Sequence, residues 1–175
     1  MVMKLNVSVL IKMVMKLNVN RIMKKILLIL LTIPLIGFGQ NEVKKTYYDN
    51  GQLKWYFTYL NGFPDGIQKE YYENGQLESE GQYKDRYITG IWKGYYENGQ
   101  LKYEGNYTDG EKDGMWKRFY ENGQLLSKRH YKDGKKNGLY ETYYKGKLIE
   151  SGKYKIGELI YQKCWDRNKK EIKCL

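Results

Sequence analysis

The sequence predicts an all-β protein, an elongated single-layer antiparallel sheet of tandem 24-residue β-hairpin repeats, with a helix only in an N-terminal signal peptide. Four observations lead to this fold class. Two aromatic residues, one acidic residue and Asn-Gly-Gln-Leu form a block that recurs every 24 residues. Asn-Gly between aromatic runs is a strong hairpin signal. Residues 40–175 show no helical periodicity, and 19 tyrosines with four phenylalanines are unlike an ordinary aliphatic core.

The residues before the repeats have the layout of a secretory signal peptide. Lys24 and Lys25 precede a 13-residue apolar run, and Gly39 places a small residue before Gln40. Because 13 apolar residues are few for a membrane span, we expect a cleaved signal peptide over residues 23–39. The protein would then be periplasmic or secreted and would meet the membrane only during export. An uncleaved N-terminal membrane anchor is the alternative.

Residues 1–22 contain the segment MVMKLNV twice, and we interpret them as an extra translated leader, with synthesis starting at Met23. The formal net charge of the whole chain is +11, which on its own suggests nucleic acid. Residues 1–39, however, hold six of the 31 basic residues and no acidic one, which leaves 25 basic residues against 20 acidic ones. The two signs are interleaved without a basic stripe, so we expect no nucleic-acid partner.

A linker over residues 40–46 and five hairpin repeats over residues 47–163 are predicted after the signal. Each Asn-Gly pair is expected to form a two-residue type I′ turn, which needs positive φ at both residues. The predicted turn residues are Asn50, Gly51, Asn74, Gly75, Asn98, Gly99, Asn122 and Gly123. Segments such as Asp109–Gly114 are expected to be loops that join one hairpin to the next.

The third repeat allows the strand register to be predicted. With Asn98-Gly99 as the loop, one face pairs Tyr96 with Leu101, Gly94 with Tyr103, Trp92 with Gly105 and Gly90 with Tyr107. On the other face Lys93 meets Glu104, and a slip of one residue would mix the two faces. Each glycine allows a ring to lie over the bare backbone opposite it. The fourth repeat departs from this pattern, since Trp116 meets Arg129 there.

Residues 164–175 are predicted to form a last hairpin with its turn near Asn168. Cys164 and Cys174 flank this segment. In an oxidising, exported setting the two cysteines would pair and clamp the end of the sheet. Two free thiols are the alternative, because sequence does not establish disulfide geometry.

The repeat YYENGQLKYEGNYTDGEKDGMWKRF resembles the variant MORN repeat, and the resemblance covers about residues 47–163. It implies a curved, single-layer antiparallel sheet of stacked hairpins and no catalytic residue. Proteins with these repeats are often classed with a bacterial antitoxin family, whose founding member is the immunity partner of a deaminase-type toxin. An immunity role is therefore an alternative function, although an export signal differs from a cytoplasmic antitoxin.

Catalytic and metal sites are not indicated. Asp109–Gly114 has acidic residues at calcium-loop positions, but Tyr120 stands where a bidentate carboxylate is needed, so a plain turn is favoured. His130, the single histidine, has no nucleophile or second ligand near it in the sequence. No Gly-rich phosphate loop lies between a strand and a helix. We therefore expect a protein that is not an enzyme and that binds no cofactor or metal.

Recurring aromatic residues are the main candidates for a binding surface, and their spacing predicts that they share one face. The candidates are Tyr72, Tyr96, Tyr103, Tyr120, Tyr144, Trp92 and Trp116. The same residues could form the only core that a one-layer sheet possesses. Exposed Tyr and Trp would instead suit protein or sugar recognition. The sequence leaves both roles open.

We hypothesise an exported, non-enzymatic repeat scaffold that binds another protein or a cell-envelope component through this aromatic face. Neutralisation of a toxin partner is the alternative. A further alternative is recognition of wall glycan or choline, since Trp-x-x-Tyr-Tyr followed by Asn-Gly is similar to choline-binding repeats. Lipid binding is a last alternative, suggested only by the family's name, which stands for membrane occupation and recognition nexus.

Overall fold

The computed structural model describes residues 12, 15, 16, 41–166 and 168–174. The chain divides into two units, residues 1–40 and residues 41–175. In the first unit the described residues, Lys12, Met15 and Lys16, have helical backbone and exposed side chains. The predicted signal peptide and its cleavage site lie outside the described residues. Among the described residues, no helix is long and apolar enough to cross a membrane.

The second unit is one open antiparallel sheet of twelve strands, in which the spatial order of the strands equals their chain order. The strands are β1 (Asn41–Tyr47), β2 (Leu53–Leu60), β3 (Phe63–Tyr71), β4 (Leu77–Lys84), β5 (Tyr87–Tyr95), β6 (Leu101–Thr108), β7 (Glu111–Phe119), β8 (Leu125–Lys132), β9 (Lys135–Tyr144), β10 (Lys147–Lys155), β11 (Glu158–Trp165) and β12 (Glu171–Ile172). The predicted all-β fold of tandem antiparallel hairpins is confirmed. The last hairpin, β11–β12, is flanked by a disulfide between Cys164 and Cys174, whose Cα atoms are 5.4 Å apart.

The sequence predicts a linker over residues 40–46, but the structure has strand β1 there. Val43 is opposite Thr58 and Lys44 is opposite Phe57 across the β1–β2 ladder. All seven residues of β1 are exposed. The strand therefore depends on backbone pairing with the otherwise free edge of β2 rather than on apolar burial, and hydrophobic periodicity has nothing to detect.

The Asn-Gly turns are not the two-residue type I′ turns that the sequence predicts. In the third repeat the Tyr96 N–H donates to the Gln100 carbonyl at 2.8 Å, and the Gly99 N–H donates to the Tyr96 carbonyl at 2.8 Å. Gly99 has a φ of 82°, whereas Asn98 does not have a positive φ. The loop therefore has three residues, Glu97 to Gly99, and ends in a bulge at the glycine. The turns at Asn50, Asn74 and Asn122 have the same hydrogen bonds.

The asparagine side chain explains why these turns differ. The Asn98 Oδ1 accepts a hydrogen bond from the Gln100 N–H at 2.9 Å, which closes a local side-chain turn. The three-residue loop changes the register only at the end of the hairpin, where Tyr95 rather than Tyr96 is opposite Leu101. The remaining predicted pairs are confirmed: Gly94–Tyr103, Trp92–Gly105, Gly90–Tyr107 and Lys93–Glu104. A bulge absorbs the extra residue, so the two faces stay separate.

Type I′ turns occur at the opposite ends of the strands, where the sequence predicts longer loops. Asp109 and Gly110 have φ values of 50° and 86° and join β6 directly to β7. Gly114, within β7, has a φ of 82° where the β6–β7 register shifts. The predicted loop Asp109–Gly114 is therefore a tight turn followed by a bulged strand. The other two-residue turns at these ends are Asn61-Gly62, Asp85-Arg86, Asp133-Gly134 and Ile156-Gly157. Lys145-Gly146, between β9 and β10, is a two-residue turn at the Asn-Gly ends of the strands.

Tyrosine hydroxyls join successive hairpins at the Asn-Gly turns. The Tyr96 hydroxyl donates to the carbonyl of Phe119, 23 residues further on, at 2.8 Å. The equivalent bonds run from Tyr48 to Tyr71, from Tyr72 to Tyr95 and from Tyr120 to Tyr143, at 2.8, 2.8 and 2.9 Å. The second tyrosine of each repeated pair is therefore a link between repeats.

Two further bonds reinforce the connection between repeats. The Asn98 Nδ2 donates to the carbonyl of Glu121 at 3.2 Å, so the turn asparagine also contacts the next turn. At the Asp-Gly turns, the Gly110 N–H donates to the carbonyl of Ile88 at 2.9 Å. Each of these hairpins is thus bonded to its neighbour at both ends of its strands.

Replacing Tyr96 with phenylalanine removes one linking hydroxyl and leaves the Phe119 carbonyl without this donor. We expect the Tyr96→Phe variant to lose about 1 kcal/mol of unfolding free energy, the usual net contribution of a hydrogen bond, measured by urea denaturation. Tyr87→Phe is the matched control, because Tyr87 is 59% exposed. Equal losses in the two variants would contradict a role for the hydroxyl bond.

Candidate binding surface

Alternation of side chains along the strands gives the sheet two chemically different faces. On β5 and β6, Trp92, Tyr103 and Tyr107 project to one side, and Lys93 and Glu104 project to the other. We call these the aromatic face and the charged face. Following the register across the sheet, the aromatic face carries Trp55, Phe57, Tyr59, Tyr83, Trp92, Tyr103, Tyr107, Trp116, Tyr131, Tyr140 and Tyr154.

Tryptophan rings on the aromatic face lie directly on glycine backbone. A Cβ atom at Gly105 would overlap the indole of Trp116, and one at Gly81 would overlap the indole of Trp92. The Trp92 ring therefore leans over the preceding hairpin, not over Gly105, its partner in the register. Trp116 is only 6% exposed. A sheet without a second layer thus obtains a core from contacts that cross from one repeat to the next.

The rings form a continuous row across β4 to β8. The ring centroids of Tyr83–Trp92, Trp92–Tyr107, Tyr107–Trp116 and Trp116–Tyr131 are 6.2, 6.2, 5.1 and 6.4 Å apart. The interplanar angles lie between 75° and 84°, the edge-to-face arrangement that ring quadrupoles favour. One row of rings therefore extends over three consecutive repeats.

Three of the seven predicted binding residues, Trp92, Tyr103 and Trp116, lie on the aromatic face. The ring of Tyr103 covers Gly94, as the predicted register implies. Trp92 and Tyr103 are half-buried, whereas Trp116 is buried and belongs to the core. The row thus combines a buried core residue with two rings that stay half-exposed.

The other four candidates lie at the turns. Tyr72, Tyr96 and Tyr120 precede the Asn-Gly turns, where each hydroxyl is bonded to the next hairpin. Tyr144 borders the fifth turn and is 44% exposed. Tyr72, Tyr96 and Tyr120 therefore do not share the face of the other candidates, because the three-residue loop takes each of them out of its strand, whereas Tyr144 is the last residue of β9. Their binding role stays a prediction.

A groove on the aromatic face contains basic residues that sequence analysis does not select as a site. It has a volume of 360 Å³ and is lined by five aromatic side chains, four basic side chains and one serine, with no acidic one. The basic residues are Lys102, Lys112, Arg118 and Arg129. We call it the cationic groove. The sequence signal for it is the departure of the fourth repeat, in which Arg129 stands opposite Trp116.

Lys112 is the most constrained of these basic residues. Its Nζ lies 4.1 Å from the ring centroid of Trp116 and 5.4 Å from that of Tyr131, within cation–π range. Burial, and then the charge of Arg118, lower the pKa of Lys112 below its usual value. The groove therefore concentrates positive charge over aromatic rings.

The charged face carries a ladder of alternating signs. Lys69, Glu80, Lys93, Glu104 and Lys117 are successive register partners across β3 to β7. The Lys117 Nζ is 2.9 Å from Glu104, and the Lys69 Nζ is 3.7 Å from Glu80. A groove of 790 Å³ runs over this ladder. Lys69 and Lys117 of this ladder thus have carboxylate partners within the sheet.

Two tyrosines are bonded to carboxylates of the sheet. The Tyr95 hydroxyl donates to the Glu80 Oε1 at 3.0 Å, and burial together with this bond and the Glu80 charge raises the pKa of Tyr95 to about 12. The Tyr140 hydroxyl donates to the Glu150 Oε1 at 2.9 Å. Burial, and then Glu150, raise the pKa of Tyr140 as well. Both phenols keep their protons beyond the usual range.

Among the described residues, no group of three or more His, Cys, Asp or Glu side chains is placed to hold a metal ion. His130 lies on the charged face, opposite Met115 in the register.

The fold and the two faces define the second unit as an open β-hairpin repeat protein. The model of the family described as MORN repeat variant matches residues 64–85, 88–109 and 112–133. Each match contains most of two strands and the Asn-Gly turn between them. Three consecutive repeats of this chain are therefore MORN repeat variants, as the sequence resemblance implies.

Two solved structures resemble part of the chain. One is the Glycosylation Associate Protein (Gap123) complex from Streptococcus agalactiae, at 16% identity and a TM-score of 0.35. The other is accessory secretory protein 1, 2 and 3 from Streptococcus pneumoniae, at 13% identity and a TM-score of 0.34. Each match covers 59% of this chain and 19% of the other chain, so this chain spans less than a fifth of their length. No curated protein sequence matches the chain.

The raised pKa of Tyr95 predicts that stability falls at high pH. Below pH 10 the phenol is protonated in both states; between pH 10 and about 12 the unfolded chain loses this proton first, so the unfolding free energy decreases. We expect the urea midpoint of the wild type to fall more steeply across this range than that of Tyr95→Phe, which has no phenol to ionise at that position. Parallel curves for the two proteins would contradict this assignment.

Proposed function

We propose that this chain is a non-enzymatic scaffold that binds a protein or another component of the cell envelope through its aromatic face. The half-exposed row of rings carries the proposal. Trp92, Tyr107 and Tyr131 are each half-buried. Strands pair only with their chain neighbours, and no second sheet or helix among the described residues covers the row.

The repeat class supports a scaffold role. MORN repeats suggest a repeat scaffold that binds a protein or another ligand. Aromatic side chains provide large, rigid contact area with little conformational entropy to lose on binding, which suits recognition by a fixed sheet. Because the row extends over three repeats, the partner would contact several repeats at once. Each repeat would then contribute a part of the affinity.

The scaffold would act outside the cytoplasm. Two features support export: the signal-peptide pattern over residues 23–39, and the disulfide between Cys164 and Cys174 at the end of the sheet. Disulfides persist in oxidising compartments and are rare in the cytosol.

Export is tested by fractionating the producing organism and sequencing the N-terminus of this protein by mass spectrometry. We expect a chain that begins near Gln40, recovered outside the cytoplasm. A chain that still carries Lys24 and Lys25 and is confined to the cytoplasm would overturn this part of the proposal. An uncleaved chain in the membrane fraction would select the anchor alternative.

Binding is tested with the full-length protein and an envelope fraction of the same organism. We expect Tyr131→Ser, on the aromatic face, to weaken retention about ten-fold, the usual effect of removing a central aromatic contact. Tyr87→Ser is the matched control, because Tyr87 is an exposed tyrosine that points to the charged face. Circular dichroism verifies that both variants are folded. Unchanged retention in Tyr131→Ser, or an equal loss in Tyr87→Ser, would contradict binding by the aromatic face.

A shortened chain tests whether affinity is distributed over the repeats. Deletion of residues 88–111 removes one 24-residue unit and joins Tyr87 to Lys112, the counterpart of Ile88. We expect retention that is weaker but still measurable. Complete loss in the folded, shortened chain would contradict a distributed surface.

A further inference from the structure

The cationic groove is built from residues that break the repeat pattern. Arg129 stands where the 24-residue spacing places Gly81 and Gly105 in the preceding repeats. Those glycines lie beneath tryptophan rings. With arginine at this position, a ring cannot lie on bare backbone as it does at the glycines, and a long charged side chain takes its place. Packing does not require this exchange, because the other repeats form the same hairpin with glycine.

A neighbouring position, Arg118, shows the same kind of departure, and Lys112 adds a third basic side chain. Arg118 corresponds to Glu70, Gly94 and Thr142, and Lys112 corresponds to Pro64, Ile88 and Lys136. Arg118 and Arg129 are therefore basic only in this repeat, and together with Lys112 they line one groove. The register brings them together, since Arg118 pairs with Tyr103 on β6, and Arg129 pairs with Trp116 on β7.

Aromatic rings give the groove a floor and two walls. The indole of Trp116 is the floor, and the rings of Tyr107 and Tyr131 stand at 84° and 75° to it. Lys112 lies above the indole, 4.1 Å from its centroid. The space between these groups is 360 Å³, enough for a small ring-shaped ligand and not for a globular partner.

Three of the four basic residues of the groove, Lys112, Arg118 and Arg129, are without an ion pair in the part of the chain that the structure describes. No acidic residue lines the groove. The Arg129 Nε is buried without a hydrogen-bond partner. The positive charges of Lys112, Arg118 and Arg129 repel one another. An oxyanion bound between them would offset this repulsion and accept charge-assisted hydrogen bonds from their N–H groups.

The shape of the groove favours a sugar over a peptide as the carrier of the anion. Strands β6, β7 and β8 are paired on both sides, so no free backbone edge is available for a peptide strand to join. The flat C–H face of a pyranose can pack on an aromatic wall, and the hydroxyls of Tyr107 and Tyr131 can exchange hydrogen bonds with sugar hydroxyls. Arginine matches a carboxylate with its planar pair of donors.

We propose that the cationic groove binds an acidic sugar, with the carboxylate of a uronic acid unit held by Arg118, Arg129 and Lys112. The pyranose ring lies between Tyr107 and Tyr131. This inference rests on the proposed function, because it names the class of envelope component that one part of the aromatic face recognises.

The test is isothermal titration calorimetry of the full-length protein with uronate trisaccharides and their neutral counterparts of the same linkage. Galacturonate, glucuronate and mannuronate trisaccharides are the acidic probes. We expect at least one to bind, its neutral counterpart to bind at least ten-fold more weakly, and the affinity to fall as salt is added, because salt screens charge.

Two substitutions test the basic residues with little risk to the fold. Arg129→Gly restores the residue found at Gly105, and Arg118→Thr restores the residue found at Thr142. We expect each variant to bind the uronate at least ten-fold more weakly. Lys155→Gln is the matched control; it removes one positive charge from an exposed site on β10, outside the groove, and should bind as the wild type does.

Several results would overturn the inference: no binding of any uronate trisaccharide, equal affinity for the neutral sugar, or unchanged affinity in Arg118→Thr and Arg129→Gly. A hexaglutamate peptide that binds as tightly as the best uronate would also overturn it, since the groove would then select charge alone. The proposed function is judged separately, by envelope retention of Tyr131→Ser. Reduced retention in that variant without uronate binding would reject only the acidic-sugar assignment.

Discussion

The hydrogen bond from a tyrosine hydroxyl to a carbonyl of the next hairpin is the interaction on which this sheet depends. A one-layer sheet has no second layer to hold its hairpins in place, so successive repeats must be fixed by contacts between neighbours. The Tyr96 bond to Phe119 and the Gly110 bond to Ile88 fix both ends of the strands. The fourth repeat shows which of the two aromatic residues must be a tyrosine. The first residue of the pair contributes only its backbone carbonyl to this bond, and here it is Phe119. The second residue donates the hydroxyl, and here it is still a tyrosine, Tyr120, whose hydroxyl donates to the carbonyl of Tyr143.

Packing of rings on glycine makes one row of residues both the core and the surface of the sheet. Trp116 is buried because it lies on Gly105 and is surrounded by neighbouring rings. Trp92 lies on Gly81 in the same way but remains half-buried. Removing water from one side of a ring stabilises the fold, while the other side stays available for a partner. A second layer would bury the row completely and leave nothing to bind with.

The fourth repeat gives up part of this packing in exchange for charge. Arg129 occupies the position at which two earlier repeats have a glycine covered by a tryptophan ring. The residue opposite Arg129 on β9 is Tyr140 instead of a tryptophan. Arg118 and Lys112 add two further positive charges, and no acidic residue lines the groove. Grouping unpaired charges over aromatic rings opposes folding, because each charge loses hydration and repels the others. Such a group is the kind of local inconsistency that marks a functional site in an otherwise regular repeat.

The sequence by itself determined the hairpin repeat, the positions of its turns and most of its register, because Asn-Gly spacing and side-chain alternation are local properties of the chain. It could not predict β1, whose exposed residues are held only by the backbone of β2. It also could not show that Asn98 closes a three-residue turn through its own side chain, which takes Tyr96 out of the strand. Only the tertiary structure decided that Trp116 is core while Tyr131 lines a groove, because the residues that cover a ring belong to the neighbouring hairpin and not to its own strand.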